Sequence, residues 1–124
     1  MTSITTHTPL DAGALRRAFA DRDAAIATSL YADDATIELA DANNTPSSPL
    51  KIEGREAIHA HYEDVFSRDL THQVETVAID GDSAGFSVRC AYPGGVRVVC
   101  VATAQLSGGL IVRQLTVQAW DAGD

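Results

Sequence analysis

Long hydrophobic runs are missing from this chain. No apolar stretch approaches the roughly 18–20 residues that a membrane helix needs, which argues against a membrane span. The opening Met1-Thr2-Ser3-Ile4-Thr5-Thr6 lacks a basic region followed by an apolar core, so no secretory signal is visible and a cytoplasmic location is expected. Positive charge is scarce, and the formal net charge is −8. A surface this acidic repels phosphate backbones and anionic lipid, so neither nucleic acid nor a membrane is expected as a partner. Solubility alone explains the charge, which names no substrate.

Cysteine is nearly absent too. The chain has two, Cys90 and Cys100, with no Cys-x-x-Cys or Cys/His metal spacing. Both fall in apolar, strand-like segments, where a thiol usually acts as a small hydrophobe. They can face each other across a hairpin, which leaves a disulfide geometrically open, although a reducing compartment argues against it. There is no Gly-x-Ser-x-Gly elbow, and neither cysteine has an evident activating partner, so nucleophilic catalysis is not expected. His59 and His61 are two apart and fall on different helix faces. No metal and no cofactor is therefore expected.

What is present fits one domain of 124 residues, with 45% hydrophobic and 21% charged residues. Residues 1–8 read as a flexible polar arm and residues 9–124 as the domain. Thr8-Pro9-Leu10-Asp11 reads as a helix start, with Thr8 able to cap. Leu15, Ala18 and Phe19 repeat at helical spacing. Asp21-Arg22-Asp23 breaks that helix, and Asp23 can cap a second one, whose apolar face is Ile26, Leu30 and Tyr31. The pair Asp33-Asp34 reads as its stop, and Thr36 to Ala40 alternates as a strand. Residues 41–49 read as a loop. Gly54 opens a third helix with Ile58, Tyr62, Val65 and Phe66 inward.

From His72 the pattern switches to period two. Strands are predicted near 72–80, 84–92, 96–106 and 110–120, with turns at Gly81-Asp82, Pro93-Gly94-Gly95 and Gly108-Gly109. Helices followed by an antiparallel meander make an α+β arrangement.

Two segments carry a family likeness. They are Tyr31-Ala32-Asp33-Asp34-Ala35-Thr36-Ile37-Glu38 and Gly54-Arg55-Glu56-Ala57-Ile58. In that order and spacing they resemble the nuclear-transport-factor-2-like superfamily, which includes SnoaL-like cyclases and ketosteroid isomerases. The resemblance spans about Leu10 to Asp121. It implies a cone: a curved antiparallel sheet wrapped around three N-terminal helices, with a central pocket.

Ketosteroid isomerases use a strand carboxylate as base, with a tyrosine and a protonated aspartic acid as oxyanion hole. Aligned to that pattern, the tyrosine position falls on Leu15, the base on Leu39 and the second acid on or near Ala102. All three become apolar, so the standard catalytic set is lacking. Glu38 neighbours the base position but points to the other sheet face. Tyr31 and Tyr62 match supporting tyrosines of those enzymes, and each also has a plain core reading.

Asp41 shares the strand parity of Leu39 and can point inward, or it can simply form a turn. His61 borders the inner stripe beside Tyr62, as a proton-transfer partner or a structural histidine; His59 reads as exposed. His7 reads as disordered, and His72 as a strand start. Tyr31, Tyr62, Asp41 and His61 are thus the catalytic candidates. By the family register the pocket is lined by Leu15, Phe19, Leu39, Phe86, Val88, Cys90, Cys100 and Ala102. Val98, Ala104 and Gln114 also face the cone, and Thr116, Gln118 and Trp120 complete the lining.

The lining implies a small, mostly apolar ligand, with a carbonyl as one candidate group, held by a few polar contacts. The alternatives are an enzyme (isomerase, cyclase or lyase) and a non-catalytic binding or dimerisation module. Val99, Val101, Leu115 and Val117 fall on the outer sheet face, where many relatives form a homodimer.

Overall fold

The structure, a computed structural model, describes residues 7–121. Among these residues the chain forms three helices and six strands. The helices are α1 (Ala12–Ala20), α2 (Ala24–Ser29) and α3 (Arg55–Ser67). The strands are β1 (Tyr31–Ala40), β2 (Leu50–Glu53), β3 (Thr71–Asp80), β4 (Ser83–Ala91), β5 (Arg97–Ser107) and β6 (Leu110–Trp120). They make one sheet in the order β2-β1-β6-β5-β4-β3. Every neighbouring pair is antiparallel except β1 and β6, which run parallel. The fold is the curved-sheet α+β cone implied by the resemblance, with that one parallel pair as a correction. No helix among the described residues is long and apolar enough to cross a membrane.

Acidic caps start the first two helices. Asp11, not Thr8, caps α1, its carboxylate accepting from the Ala14 backbone N–H at 2.7 Å. Thr8 is committed elsewhere: its N–H donates to the Ser29 carbonyl at 2.7 Å, and Leu10 N–H donates to the Gly109 carbonyl at 2.8 Å. Most of the arm expected over 1–8 lies outside the described residues. His7, expected to be disordered, instead places Nε2 2.9 Å from Asp33 Oδ1. Asp23 caps α2 through Ile26 N–H at 3.1 Å.

The second helix ends at Ser29, two residues before the expected end. Tyr31 opens β1, where it pairs with Ile111 of β6. The next pair is Thr36 with Arg113, so five steps along β1 oppose two along β6. Asp33 and Asp34 occupy this bulge and are exposed. They are therefore not a helix stop; a bulge lets short acidic side chains leave the ladder for water while Tyr31 stays buried.

The two marker segments meet there. Gly54 holds φ at +87°, and its N–H donates to the Ala35 carbonyl at 2.8 Å. Arg55, only 6% exposed, donates from Nη2 to the Thr28 carbonyl at 3.3 Å and places Nη1 3.6 Å from Asp33 Oδ1. Burial lowers the Arg55 pKa, and the Asp33 charge opposes that. One residue thus ties the helix start to the bulge. The short strand β2 within the stretch after the loop was not anticipated; it pairs along β1 through Ile37–Ile52 and its neighbours.

The meander follows the predicted turns. Gly108 and Gly109 take φ values of +59° and +84°, the conformation a two-residue hairpin needs. At one end of the cone Ala14, Leu30, Ile58 and Ile111 are at most 1% exposed and fill the interior. Toward the Trp120 end of β6 the interior opens.

Candidate functional site

The open end is a cavity of about 100 Å³. That is room for a few waters or a compact ligand, well below the roughly 300–1,000 Å³ of drug-sized sites. Period-two alternation supplies most of the wall. Ile37 and Leu39 come from β1, Phe86, Val88 and Cys90 from β4, and Val98, Cys100 and Ala102 from β5. Strand β6 contributes Gln114, Thr116, Gln118 and Trp120, while Phe19, His61, Tyr62 and Val65 close the helical side. Ten of the eleven residues expected to line the pocket do so. Leu15 does not; it sits in the packed core at 2% exposure, on the helical face turned to the filled end.

Thr116 has a telling position. Leu39 of β1 and Ala102 of β5 both pair with it. These are the two positions aligned with the isomerase base and second acid, so a hydroxyl stands between two apolar replacements. Glu38 pairs with Leu115, on the outer face, as strand parity requires.

A buried hydrogen-bond chain runs behind Thr116. With the Gln114 amide in this orientation, the Tyr31 hydroxyl donates to Gln114 Oε1 at 2.5 Å. A hydroxyl has one proton, so Tyr31 accepts from Tyr62, whose hydroxyl is 2.7 Å away. Gln114 Nε2 donates to Thr116 Oγ1 at 2.9 Å. The order Tyr62, Tyr31, Gln114, Thr116 leaves the Thr116 proton as the chain's free donor. It also leaves the Tyr62 oxygen able to accept. Burial pushes Tyr62 up to about 12 and Tyr31 well above its ordinary value, so neither serves as a tyrosinate base near neutral pH. Tyr31 stands behind Tyr62 and does not line the cavity itself.

His61 lines the cavity with its ring 5.4 Å from that of Tyr62. Burial lowers its pKa; Asp64 opposes this and Arg68 reinforces it. The imidazole is therefore neutral near pH 7 and able to take a proton. His59 is 16% exposed at its side chain and sits 3.6 Å from Glu63, away from the cavity. Asp41 does not join the other candidates. It lies past the end of β1 and accepts from Asn43 N–H and Asn44 N–H, both at 2.8 Å. Slight burial raises its carboxyl, but these bonds outweigh it and hold it below the usual range. Its strand parity means nothing once the strand has ended in a turn.

Five lining residues escaped the sequence reading: the apolar Ile37 and Leu70, and the polar Arg68, Tyr92 and His72. Arg68, after α3, salt-bridges Asp64 at 2.7 Å, and hydrogen bonding to Tyr92 raises its pKa. Tyr92 stacks on Trp120 at 5.9 Å. His72 pairs with Cys90 across the hairpin, its Nδ1 3.2 Å from Sγ. Counting outward from the Gly81-Asp82 turn matches 72 with 91; the bulge between Val74 and Thr76 shifts the register by one and brings His72 opposite Cys90. The cysteines themselves are free and stand diagonally, because Cys90 pairs with Val98 and Cys100 with Val88. The direct facing that a disulfide reading assumed is off by one pair. No carboxylate lines the cavity among the described residues.

No curated protein sequence matches the chain. Solved structures do, at identities that speak for the fold alone. A nuclear-transport-factor-2-like protein of unknown function from Mesorhizobium loti has a TM-score of 0.72 at 22% identity, covering 91% of this chain and 98% of its own. A candidate ketosteroid isomerase from Kribbella flavida has a TM-score of 0.67 at 23% identity, covering 90% and 78%. IdmH, a candidate polyketide cyclase from Streptomyces antibioticus, has a TM-score of 0.62 at 22% identity, covering 86% and 87%. The profile of the SnoaL-like domain matches residues 12–114, through the helices, the bulge and the cavity wall as far as Gln114. The chain belongs to the SnoaL-like domain family.

Proposed function

We propose that the cavity takes a small, mostly apolar carbonyl compound and moves a proton next to its carbonyl, without the ketosteroid isomerase catalytic set. The observation that carries this reading is the buried chain from Tyr62 to Thr116, which ends in one free hydroxyl proton among apolar walls. A buried donor in apolar surroundings favours an acceptor such as a carbonyl oxygen. Neutral His61, beside Tyr62, is the proton carrier. Isomerase, cyclase and lyase reactions of carbonyl compounds share that step. The names of the Kribbella flavida and Streptomyces antibioticus proteins support the same class.

The test is deuterium uptake next to the carbonyl of cyclohexanone in D₂O, with binding followed by ligand-observed NMR. Thr116→Val should weaken binding about tenfold, the worth of one good hydrogen bond. His61→Gln should abolish uptake and spare binding. Unchanged binding in Thr116→Val sinks the reading.

A second reading is favoured by Leu15, Leu39 and Ala102, apolar where the isomerases are polar: a module that binds and does not turn over. Saturable binding with no deuterium uptake selects it. Both readings place the protein in the cytoplasm, where its two thiols stay reduced, and both include a homodimer. Val101 and Val117 pair across β5 and β6 on the outer face and are 50% and 51% exposed, with Leu115 beside them at 47%. A second copy covering that stripe removes its apolar area from water.

A further inference from the structure

The reading above leaves one cluster in the cavity wall unused. Cys90 of β4 stands between His72 of β3 and Cys100 of β5 on the inner face of the sheet. The His72 ring is held edge-on by Phe19 at 5.7 Å and Phe66 at 5.5 Å. Its Nδ1 lies 3.2 Å from Cys90 Sγ. Its Nε2 is buried with no hydrogen-bond partner. A purely structural buried histidine satisfies both nitrogens, so this one retains a polar atom for something that enters.

Two groups converge on one sulfur. The Cys100 thiol hydrogen-bonds to Cys90, and His72 does so from the other side. The Cys100 bond, with help from His72, outweighs burial and draws the Cys90 thiol below its ordinary value. The same bond, with burial and the Cys90 charge, pushes the Cys100 thiol upward, so Cys100 keeps its proton. The other titratable groups on this wall are His61 and Tyr62 of α3, Arg68 after it and Tyr92 after β4. None is a carboxylate, so no lining anion opposes a thiolate.

We propose that Cys90, assisted by His72, is a nucleophile that captures a small α,β-unsaturated carbonyl compound in this cavity. The Cys90 sulfur forms a bond to the β-carbon. The carbon–carbon π pair shifts toward the carbonyl oxygen as an enolate. The α-carbon then takes the proton that the thiol had passed to His72. The product is a saturated carbonyl compound in thioether linkage to Cys90, and no oxidant or reductant is needed. The inference rests on the cavity being a ligand site and does not require the proton transfer assigned to His61.

The probe is cyclohex-2-en-1-one on the reduced protein, followed by intact mass and peptide mapping from pH 6 to pH 9. One adduct is expected, on Cys90. At pH 6 a free thiol of pKa near 8.5 is about 0.3% ionised. A lowered thiol pKa raises the thiolate fraction there by more than it lowers intrinsic nucleophilicity. Cys90 should therefore react several-fold faster than N-acetylcysteine at pH 6. His72→Gln should slow the reaction at pH 6 and leave the pH 9 rate equal or higher, since a more basic thiolate is the better nucleophile; a packing role would not produce that crossover. An adduct on Cys100, an adduct on neither thiol, or a wild-type rate at pH 6 equal to that of N-acetylcysteine overturns the proposal; the last comparison needs no variant. Cyclohexanone binding to Cys90→Ser separates the two readings. Binding there without a wild-type adduct removes only the nucleophile. An adduct without such binding removes only the carbonyl-binding reading.

Discussion

The hydroxyl of Tyr62 lies 2.7 Å from that of Tyr31, and the Tyr31 proton is already committed to Gln114. Tyr31 therefore stands between Tyr62 and Gln114 in the chain. Tyr31→Phe leaves Gln114 Oε1 buried without a donor and Tyr62 without an acceptor. It should destabilise the protein by about 1–3 kcal/mol, against about 0.5–1.5 kcal/mol for Tyr62→Phe. Urea unfolding of the two variants checks the order, and equal losses would break the directed chain.

Alkaline pH should unfold the protein through the same pair. The Tyr62 pKa is raised from 10.0 to about 12 in the fold. Above pH 10 the unfolded chain loses that proton first, so stability is full below about 10 and falls until about 12. Tyr62 alone accounts for about 2–3 kcal/mol across that window. Tyr62→Phe should flatten the alkaline limb of a stability-against-pH curve; an unchanged slope would contradict the buried, neutral phenol.

His61 acts at the other end of the scale. Its pKa is lowered from 6.5, so the unfolded state binds its proton first as pH falls. The stability this gives is present above 6.5 and is lost through the folded pKa below it. His61→Gln should remove part of the acid limb, measured by thermal unfolding between pH 7 and pH 5.

Gly109→Ala should cost about 1–2 kcal/mol, from the left-handed backbone and the tight contact together. Gly109 has φ of +84°, and a Cβ built there meets Pro9 Cβ at 3.1 Å. A loss in chemical unfolding well below that range would mean that the Pro9 segment yields easily.

Val101→Glu should make a monomer of the proposed dimer and leave the far-UV spectrum unchanged. Sedimentation at micromolar concentration checks both proteins. A monomeric wild type would end the dimer proposal.

The readable part of this molecule was its meander. Alternation from Phe86 to Trp120 and the glycine turns fix which side chains share a face. Hence Phe86, Val88, Cys90, Cys100, Ala102, Thr116, Gln118 and Trp120 line the cavity as the register implied. The unreadable part depended on partners distant in sequence. Tyr31 looks like the last turn of a helix until Ile111 offers it a parallel strand to join. Asp41 looks inward by parity until the strand stops and Asn43 and Asn44 take its carboxylate.

By itself the sequence determined the helix cap at Asp23, the strands of the meander and which side chains share a face of the sheet. Those follow from local hydrogen bonding and from a period of two, both written in neighbouring residues. Only the tertiary structure decided that Asp33 and Asp34 bulge out of a parallel pair with Arg55 tied to Asp33. Only it set Thr116 between Leu39 and Ala102, and His72 against Cys90. These relationships join strands and helices far apart in the chain, and a register between distant segments is chosen by packing, not by propensity.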